Sequence, residues 1–192
     1  DPIEYHLTGI SQSQINEKRG YDFATGLRSV LRQDPDVVML GEIRDLETAE
    51  TAAQAALTGH VVLSTLHTNS AIETIPRLTN IGLPPFMVAP ALDTIIAQRL
   101  VRKFCPNCVE LKPIEKATLE EIQRTVDFIK QIQPALVLQI PDQLPQAKGC
   151  DICSHTGYKG RLSIIEVLDV DNEMRDLILN KASTTKMIEA AR

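Results

Sequence analysis

The sequence contains no tryptophan, and aromatic residues make up only 4% of its 192 residues. The core must therefore be built mainly from aliphatic side chains and alanine. No apolar run approaches the roughly 18 residues that a membrane-spanning helix needs, and no signal peptide opens the chain. The net charge of −5 argues against a broad nucleic-acid-binding face. This composition predicts a soluble globular protein, for which we expect a cytoplasmic location.

The chain also lacks a phosphate-binding glycine-rich loop, because the pattern G-x-x-x-x-G-K-[ST] occurs nowhere in it. Such a loop supplies the backbone N–H groups and the lysine that hold the β- and γ-phosphates of a nucleotide. The sequence starts without methionine and stops within an apparent helix. We therefore expect it to be an excerpt of a longer protein.

A strand–helix–strand–helix pattern is predicted in the first half of the chain. The continuous apolar run Val37–Leu40 predicts a buried strand of the parallel type. Asp45 is placed to cap a helix that continues to about Thr58. His60–Leu66 predicts a second buried strand, and residues 71–80 predict a second helix. Short connections between such elements predict an α/β fold with a parallel sheet flanked by helices.

The second half is predicted to differ in character. Residues 87–103 are expected to form a helix, and residues 104–158, which hold all four cysteines, to include another helix at Thr118–Gln133. A strand at residues 161–170 and two short helices complete the pattern. We predict three parts: a core at 1–103, a cysteine-containing subdomain at 104–158, and a return strand with C-terminal helices at 159–192.

The four cysteines form two C-x-x-C pairs, "CPNC" and "CDIC", which are separated by 41 residues. Two residues between thiolates allow both sulfurs to face one ion, and two pairs complete a tetrahedral site. The pattern predicts structural zinc held by Cys105, Cys108, Cys150 and Cys153. The alternatives are two disulfides, which a reducing cytosol disfavours, or unrelated buried thiols.

Glu42 follows the first predicted strand, where a carboxylate can hold Mg²⁺ through a coordinated water. Its alternative role is to cap the next helix. Ligands of open parallel sheets bind at the carboxyl ends of the strands. His67, just past the second strand, is therefore expected beside Glu42, whereas His60 starts at the opposite edge. Either histidine could instead be satisfied by a backbone carbonyl.

The charged N-terminal stretch "DPIEYH" offers one more candidate. Glu4 could act as a general base that orients or deprotonates a water molecule. The alternative is a charged terminus that is simply solvated.

Four stretches in this order resemble secretion-superfamily ATPases of type II secretion and type IV pilus assembly: "DPIEY", "GLRSVLRQDPDVVMLGEIRDLETAETAAQAALTGHVVLSTLHTN", "IIAQRLVRKFCPNC" and "CDICSHTGYKGRLSIIEVL". The resemblance covers nearly the whole chain. It implies a partial RecA-like sheet with a small Cys₄ zinc-binding subdomain, and a hexameric ATPase that uses ATP with Mg²⁺. The family carries its phosphate-binding loop upstream of the stretch that Asp1 opens, so we expect the chain alone to be inactive.

The resemblance also implies residue roles. Glu4 matches the catalytic base, Glu42 the Mg²⁺-holding acid of an atypical Walker B motif, and His60 and His67 the histidines of the His box. His67 is the better placed of the two to sense the γ-phosphate. Arg28 and Arg32 are candidates for phosphate or inter-subunit contacts.

The four cysteines match a zinc motif that is typical of assembly and secretion ATPases and usually absent from pilus retraction ATPases. The implied partners are other copies in a homohexamer, an inner-membrane platform protein and further secretion or pilus components, but no nucleic acid. The implied location is the cytoplasmic side of the bacterial inner membrane. Two alternatives lack ATPase activity: a zinc-stabilised interaction module and a nucleic-acid-binding module.

Overall fold

The structure is a computed structural model that describes residue 3 and residues 5–191. The chain divides into two compact units, unit 1 (Asp1–Ala97 and Glu166–Ala191) and unit 2 (Gln98–Ile165). In the described residues, no helix combines the length and the apolar character needed to span a membrane. The helices and strands are, in chain order, α1 (Phe23–Leu31), β1 (Val37–Leu40), α2 (Leu46–Leu57), β2 (Val61–Ser64), α3 (Thr74–Ile81), α4 (Pro85–Ala91), β3 (Thr94–Phe104), β4 (Val109–Pro113), α5 (Lys116–Ile132), β5 (Gln143–Ala147), β6 (Tyr158–Asp169), α6 (Asn172–Leu179) and α7 (Thr184–Ala190).

In unit 1, β1 and β2 form the predicted parallel pair, with Val37 opposite Val61 and Leu40 opposite Ser64. The helix α2 connects them, so the βαβ arrangement is confirmed. Asp45 caps α2 as expected, because its Oδ1 accepts a hydrogen bond of 2.9 Å from the Thr48 N–H. The cap fixes the start of α2 a few residues after β1, which keeps the β1–α2 connection short.

The core of unit 1 is aliphatic and alanine-rich, as the low aromatic content predicts. Its most deeply buried large side chains belong to Ile75, Met174, Ile178 and Val88. They join a cluster that also includes Ala49 and Ala53 on α2 and Leu168 and Val170 around the end of β6. Residues from both halves of the sequence therefore share one core.

The predicted helix over residues 87–103 is wrong in its second part. The structure has α4 only to Ala91, followed by β3, which pairs with β6. The β-branched run from Thr94 to Ile96 favours an extended backbone. The partner strand β6, about sixty residues away in sequence, supplies the hydrogen bonds that a local pattern cannot reveal.

Unit 2 contains an antiparallel pair that the sequence did not predict. β4 and β5 align Val109 with Ala147 and Pro113 with Gln143. The helix α5 lies between these strands in the chain and buries no residue fully. Three cysteines, Cys105, Cys108 and Cys153, are the buried members of the cluster in this unit.

Candidate functional site

Glu42 directly follows Gly41 at the carboxyl end of β1, and only 5% of its surface is exposed. One carboxylate oxygen, Oε1, forms an ion pair with Arg44. The other, Oε2, lies 3.3 Å from Nε2 of His67. The structure therefore brings Glu42 and His67 together at the edge where the two parallel strands end.

Thr65 ties together the segments that carry these two residues. Its hydroxyl donates a 2.7 Å hydrogen bond to the Gly41 carbonyl, and its own carbonyl accepts one of 3.1 Å from the Ile43 N–H. These bonds lie on either side of Glu42 in the chain. They extend the β1–β2 pairing past the strand ends and fix the backbone from which the Glu42 side chain projects.

The surroundings of Glu42 favour its ionised form. The hydrogen bond from Arg44 is the main reason why the pKa of Glu42 lies below its ordinary value. Burial opposes this shift, while the charges of Arg44 and His67 reinforce it. At neutral pH the site therefore contains the ionised carboxylate of Glu42, contacted at one oxygen by Arg44 and at the other by the exposed ring of His67.

His60 lies before β2 and contacts a different part of unit 1. Its Nδ1 is 3.1 Å from the Ala55 carbonyl and 3.3 Å from the Thr58 hydroxyl, both at the end of α2. His60 therefore has a backbone carbonyl partner, which is the alternative to a role in the site. The structure does not bring His60 to Glu42.

The remaining candidates are dispersed. Arg28, on α1, forms a 2.7 Å ion pair with Glu47 on α2. Arg32 follows α1 and is exposed. Glu4 lies outside the described residues, so the structure gives no position for this candidate base.

The four cysteines of unit 2 converge on one point. Their sulfur atoms all lie within 4.8 Å of one another, and none of the four is in a disulfide. The pairs Cys105–Cys150, Cys108–Cys153 and Cys150–Cys153 are 4.0, 3.8 and 3.7 Å apart. Four sulfurs at about 2.3 Å from a tetrahedral Zn²⁺ lie about 3.8 Å from one another. The observed spacing therefore fits a single tetrahedral ion.

The β4–β5 pair explains how the cysteines meet across a 41-residue spacer. "CPNC" immediately precedes β4 and "CDIC" closely follows β5, so pairing these strands brings the two motifs side by side. Two glycines make the close approach possible. A Cβ on Gly149 would lie 2.7 Å from the His155 carbonyl oxygen, and one on Gly157 would lie 2.5 Å from the Ala147 Cβ. Both glycines have positive φ.

Backbone N–H groups favour a thiolate at one of the four sulfurs. Burial opposes ionisation of Cys153, but the N–H groups of Cys150 and Gly157, 3.3 and 3.2 Å from its sulfur, help to lower its pKa to about 6. At Cys108 burial dominates and raises the pKa to about 12, against a hydrogen bond from Gly149. Thiolates are the form in which cysteine binds metals.

Two residues of the Glu42 site were not identified from the sequence. One is Arg44, although a basic residue two positions from a strand-end acid is a usable signal for an ion pair. The other is Thr65, which lies two residues before His67. The two hydrogen bonds that Thr65 forms with Gly41 and Ile43 depend on the pairing of β1 with β2, which no local pattern reveals.

The chain matches a known protein family over its whole length. The family model described as "Type II/IV secretion system protein" matches residues 1–192, the whole chain. The chain belongs to this family.

Curated members of the family are similar along the entire chain. Type II secretion system protein E of Pseudomonas aeruginosa is 50% identical over 192 residues, which are 100% of this chain and 36% of that protein. Type II secretion system ATPase E of Vibrio cholerae is 46% identical over 97% of this chain and 35% of its own length. Type IV pilus assembly ATPase PilB of Thermus thermophilus is 47% identical over 100% of this chain and 20% of its length. The chain thus spans about a third or less of these relatives.

Two solved structures have a similar fold. The pilus retraction motor PilT with bound ADP aligns with a TM-score of 0.53 and 30% identity over 88% of this chain and 34% of that one. The ATPase DotB of Legionella pneumophila gives a TM-score of 0.55 and 26% identity over 94% of this chain and 36% of its own.

Proposed function

We propose that the complete protein carrying these residues is an ATPase that powers type II protein secretion or type IV pilus assembly. The observation that carries this proposal is the pairing of buried Glu42 with His67 at the ends of two parallel strands. The names of the curated relatives support it, since two of them are ATPases of these systems. In this proposal β1 and β2 belong to a RecA-like core.

Glu42 is proposed to hold Mg²⁺ through water. Mg²⁺ prefers oxygen ligands and retains several waters, and a carboxylate with a lowered pKa is ionised at neutral pH. Arg44 and His67 already contact both oxygens, so water-mediated binding suits the site better than direct ligation. His67 is proposed to approach the γ-phosphate, and Glu4 to serve as the base for the attacking water.

The other proposed nucleotide contacts need conformational change or a neighbouring subunit. Arg28 must leave Glu47 to reach a phosphate, and His60 must leave the end of α2. Arg32 is exposed and suits a contact with another copy in the proposed homohexamer. That assembly is proposed to act in the cytoplasm, beside the inner membrane and its platform protein, without binding nucleic acid.

Zn²⁺ is proposed as a structural ion of unit 2, held by Cys105, Cys108, Cys150 and Cys153. A site with four protein ligands leaves no open position for water, so its role is to stabilise the fold. We retain the proposed division into a core at 1–103, a zinc-binding subdomain at 104–158 and a C-terminal part at 159–192.

The decisive experiment compares Glu42→Gln with Glu50→Gln in the complete protein. Both changes remove one acid, but Glu50 lies on α2 outside the Glu42–His67 contact. We expect Glu42→Gln to lower kcat for Mg²⁺-dependent ATP hydrolysis by about 100-fold or more, and Glu50→Gln to lower it less than twofold. Equal turnover in the two variants would overturn the proposal.

A second measurement concerns the present chain alone. Since it contains no glycine-rich lysine loop, we expect no turnover above background from the purified 192-residue chain. Sustained, Mg²⁺-dependent ATP hydrolysis by this chain would contradict the assignment of residue roles.

A further inference from the structure

We propose that Glu166, on β6, is a positioning residue that fixes the segment between His67 and α3 and thereby holds His67 beside Glu42. The proposal rests on the function proposed above. Its central contact is a hydrogen bond of 3.0 Å from the Ala71 N–H to Oε2 of Glu166. The two residues are 95 positions apart in the sequence.

The contact is formed by a completely buried part of the segment. Ala71 has 0% exposure, and Ile72 beside it has 6%. A backbone N–H at such a position cannot turn to solvent, so it needs a protein acceptor. A carboxylate is a strong acceptor for it, because hydrogen bonds to charged groups are stronger than those between neutral groups.

The strand β6 places Glu166 for this contact. Residues two apart on a strand share a face, so Glu166 lies on the same face as Leu168 and, just past the strand, Val170. Leu168 and Val170 belong to the same buried cluster as Ala71 and Ile72. Packing of these apolar side chains sets the register, and the register delivers the Glu166 carboxylate to the Ala71 N–H.

Two of the other hydrogen bonds in the segment are local. Asn69 donates its N–H to Glu73 over 3.0 Å, and the hydroxyls of Thr68 and Thr74 are 3.3 Å apart. These bonds shape the turn that precedes α3. The Glu166 contact differs because it ties this turn to a distant strand.

The Ala71–Glu166 contact affects the candidate nucleotide site because Ala71 and His67 belong to the same short segment. His67 lies four residues before Ala71 and contacts Glu42 with a ring that is otherwise exposed. The backbone before His67 is held by the two Thr65 hydrogen bonds, and the backbone after it by the Ala71–Glu166 bond, so the position of the exposed ring depends on both. Loss of the Ala71–Glu166 bond removes the second of these anchors, so we expect His67 to spend less time in contact with Glu42.

The experiment uses amide hydrogen exchange by NMR on the 192-residue chain. We expect Glu166→Ala to accelerate exchange of the Ala71 amide by roughly tenfold or more, while exchange of the Val88 amide in the core changes by less than about twofold. Glu166→Gln keeps a carbonyl acceptor and should restore part of the protection. Asp169→Ala is the matched control, because Asp169 lies on the other face of β6 and contacts Thr94.

A second measurement tests whether positioning reaches His67. In the wild-type chain, Glu42→Gln should shift the ring resonances of His67, because the two groups are in contact. In a Glu166→Ala background this shift should fall to about half or less. Unchanged exchange at Ala71, equal acceleration at Val88, or an undiminished His67 shift would each overturn the proposal.

In the complete protein, Glu166→Ala should lower kcat for ATP hydrolysis more than it changes KM, and Glu166→Gln should recover part of the loss. The NMR measurements need no turnover, so they separate the two proposals. If the complete wild-type protein does not hydrolyse ATP, the proposed ATPase function is wrong. If the Ala71 exchange rate and the His67 resonance shift in Glu166→Ala equal those of the wild type, only the positioning role of Glu166 is wrong.

Discussion

Glu42 combines two properties that rarely occur together, a charged side chain and a nearly inaccessible position. Burying a carboxylate is costly unless partners compensate it. Arg44 and His67 provide that compensation, one at each oxygen. The arrangement therefore keeps an anion in place, which the proposed binding of Mg²⁺ requires.

The effect of Arg44 on stability should depend on pH. The pKa of Glu42 is below its ordinary value of 4.5 in the folded chain, so its ion pair stabilises the fold above about pH 4.5 and loses that effect as the pH falls through the lowered pKa. We expect Arg44→Ala to reduce the melting temperature at pH 7 by about 2–4 °C at most, because Arg44 is exposed to solvent. Thermal unfolding followed from pH 7 to pH 3 measures the difference.

Arg44→Lys keeps the charge and serves as the control, with a smaller decrease expected. In a Glu42→Gln background, removal of Arg44 should have little effect. A difference between wild type and Arg44→Ala that stays constant down to pH 3 would show that Arg44 acts through something other than Glu42.

Among the helices and strands, those of unit 2 receive the least support from an apolar core. α5 has an apolar stripe but no fully buried residue, and the buried members of the cluster in this unit are cysteines. Such an arrangement is stable when metal coordination replaces apolar burial, because the free energy of zinc binding then becomes free energy of folding. The β4–β5 pair, which flanks α5 in the chain, should respond most strongly to loss of metal.

We expect the purified chain to contain about one equivalent of zinc, and a strong chelator to remove it. Without metal, amide protection in β4 and β5 should fall by at least about tenfold, while the amides of Val88 and other core residues of unit 1 keep theirs. Elemental analysis and hydrogen exchange measure the two effects.

Cys150→Ser should reproduce the metal-free state. Ile152→Ser is its control, since Ile152 lies between the cysteines of the same motif and is exposed. Full zinc content in Cys150→Ser, or equal loss in the Ile152→Ser control, would argue against the four-cysteine site.

At the scale of the whole molecule, one face of the β1–β2 pair is apolar and accessible. Val37, Met39, Val61 and Leu63 are each more than half exposed, whereas Val38 and Leu40, on the alternate face of β1, are buried. Two strands buried on one side only are unusual for a parallel sheet, which normally has both faces covered. An exposed apolar face of this kind promotes association.

We therefore expect the chain to self-associate through this face, and Met39→Thr to weaken that association by about tenfold, because Met39 is 76% exposed and contributes strongly to the face. The melting temperature of Met39→Thr should change little. Sedimentation over a range of concentrations, with thermal unfolding in parallel, measures both quantities.

Leu40→Thr is the matched control in the same strand. Leu40 is 6% exposed and packs in the cluster with Leu27 and Ala52, so its loss should cost about 2–5 kcal/mol of stability. If Met39→Thr destabilised the chain as much as Leu40→Thr, or left association unchanged, the face would not be the contact surface.

The sequence by itself predicted the strand–helix–strand order of the βαβ unit, the Asp45 cap and the two C-x-x-C pairs, because each follows from a local pattern or spacing. The tertiary structure alone decided that residues 94–104 form a strand, since β6 supplies its hydrogen bonds from far along the chain. It also decided that β4 and β5 bring the cysteine pairs together, that Thr65 ties the segment of Glu42 to the end of β2, and that Glu166 meets Ala71. These contacts join residues through pairing and packing, and most lie too far apart in sequence for local periodicity to record them.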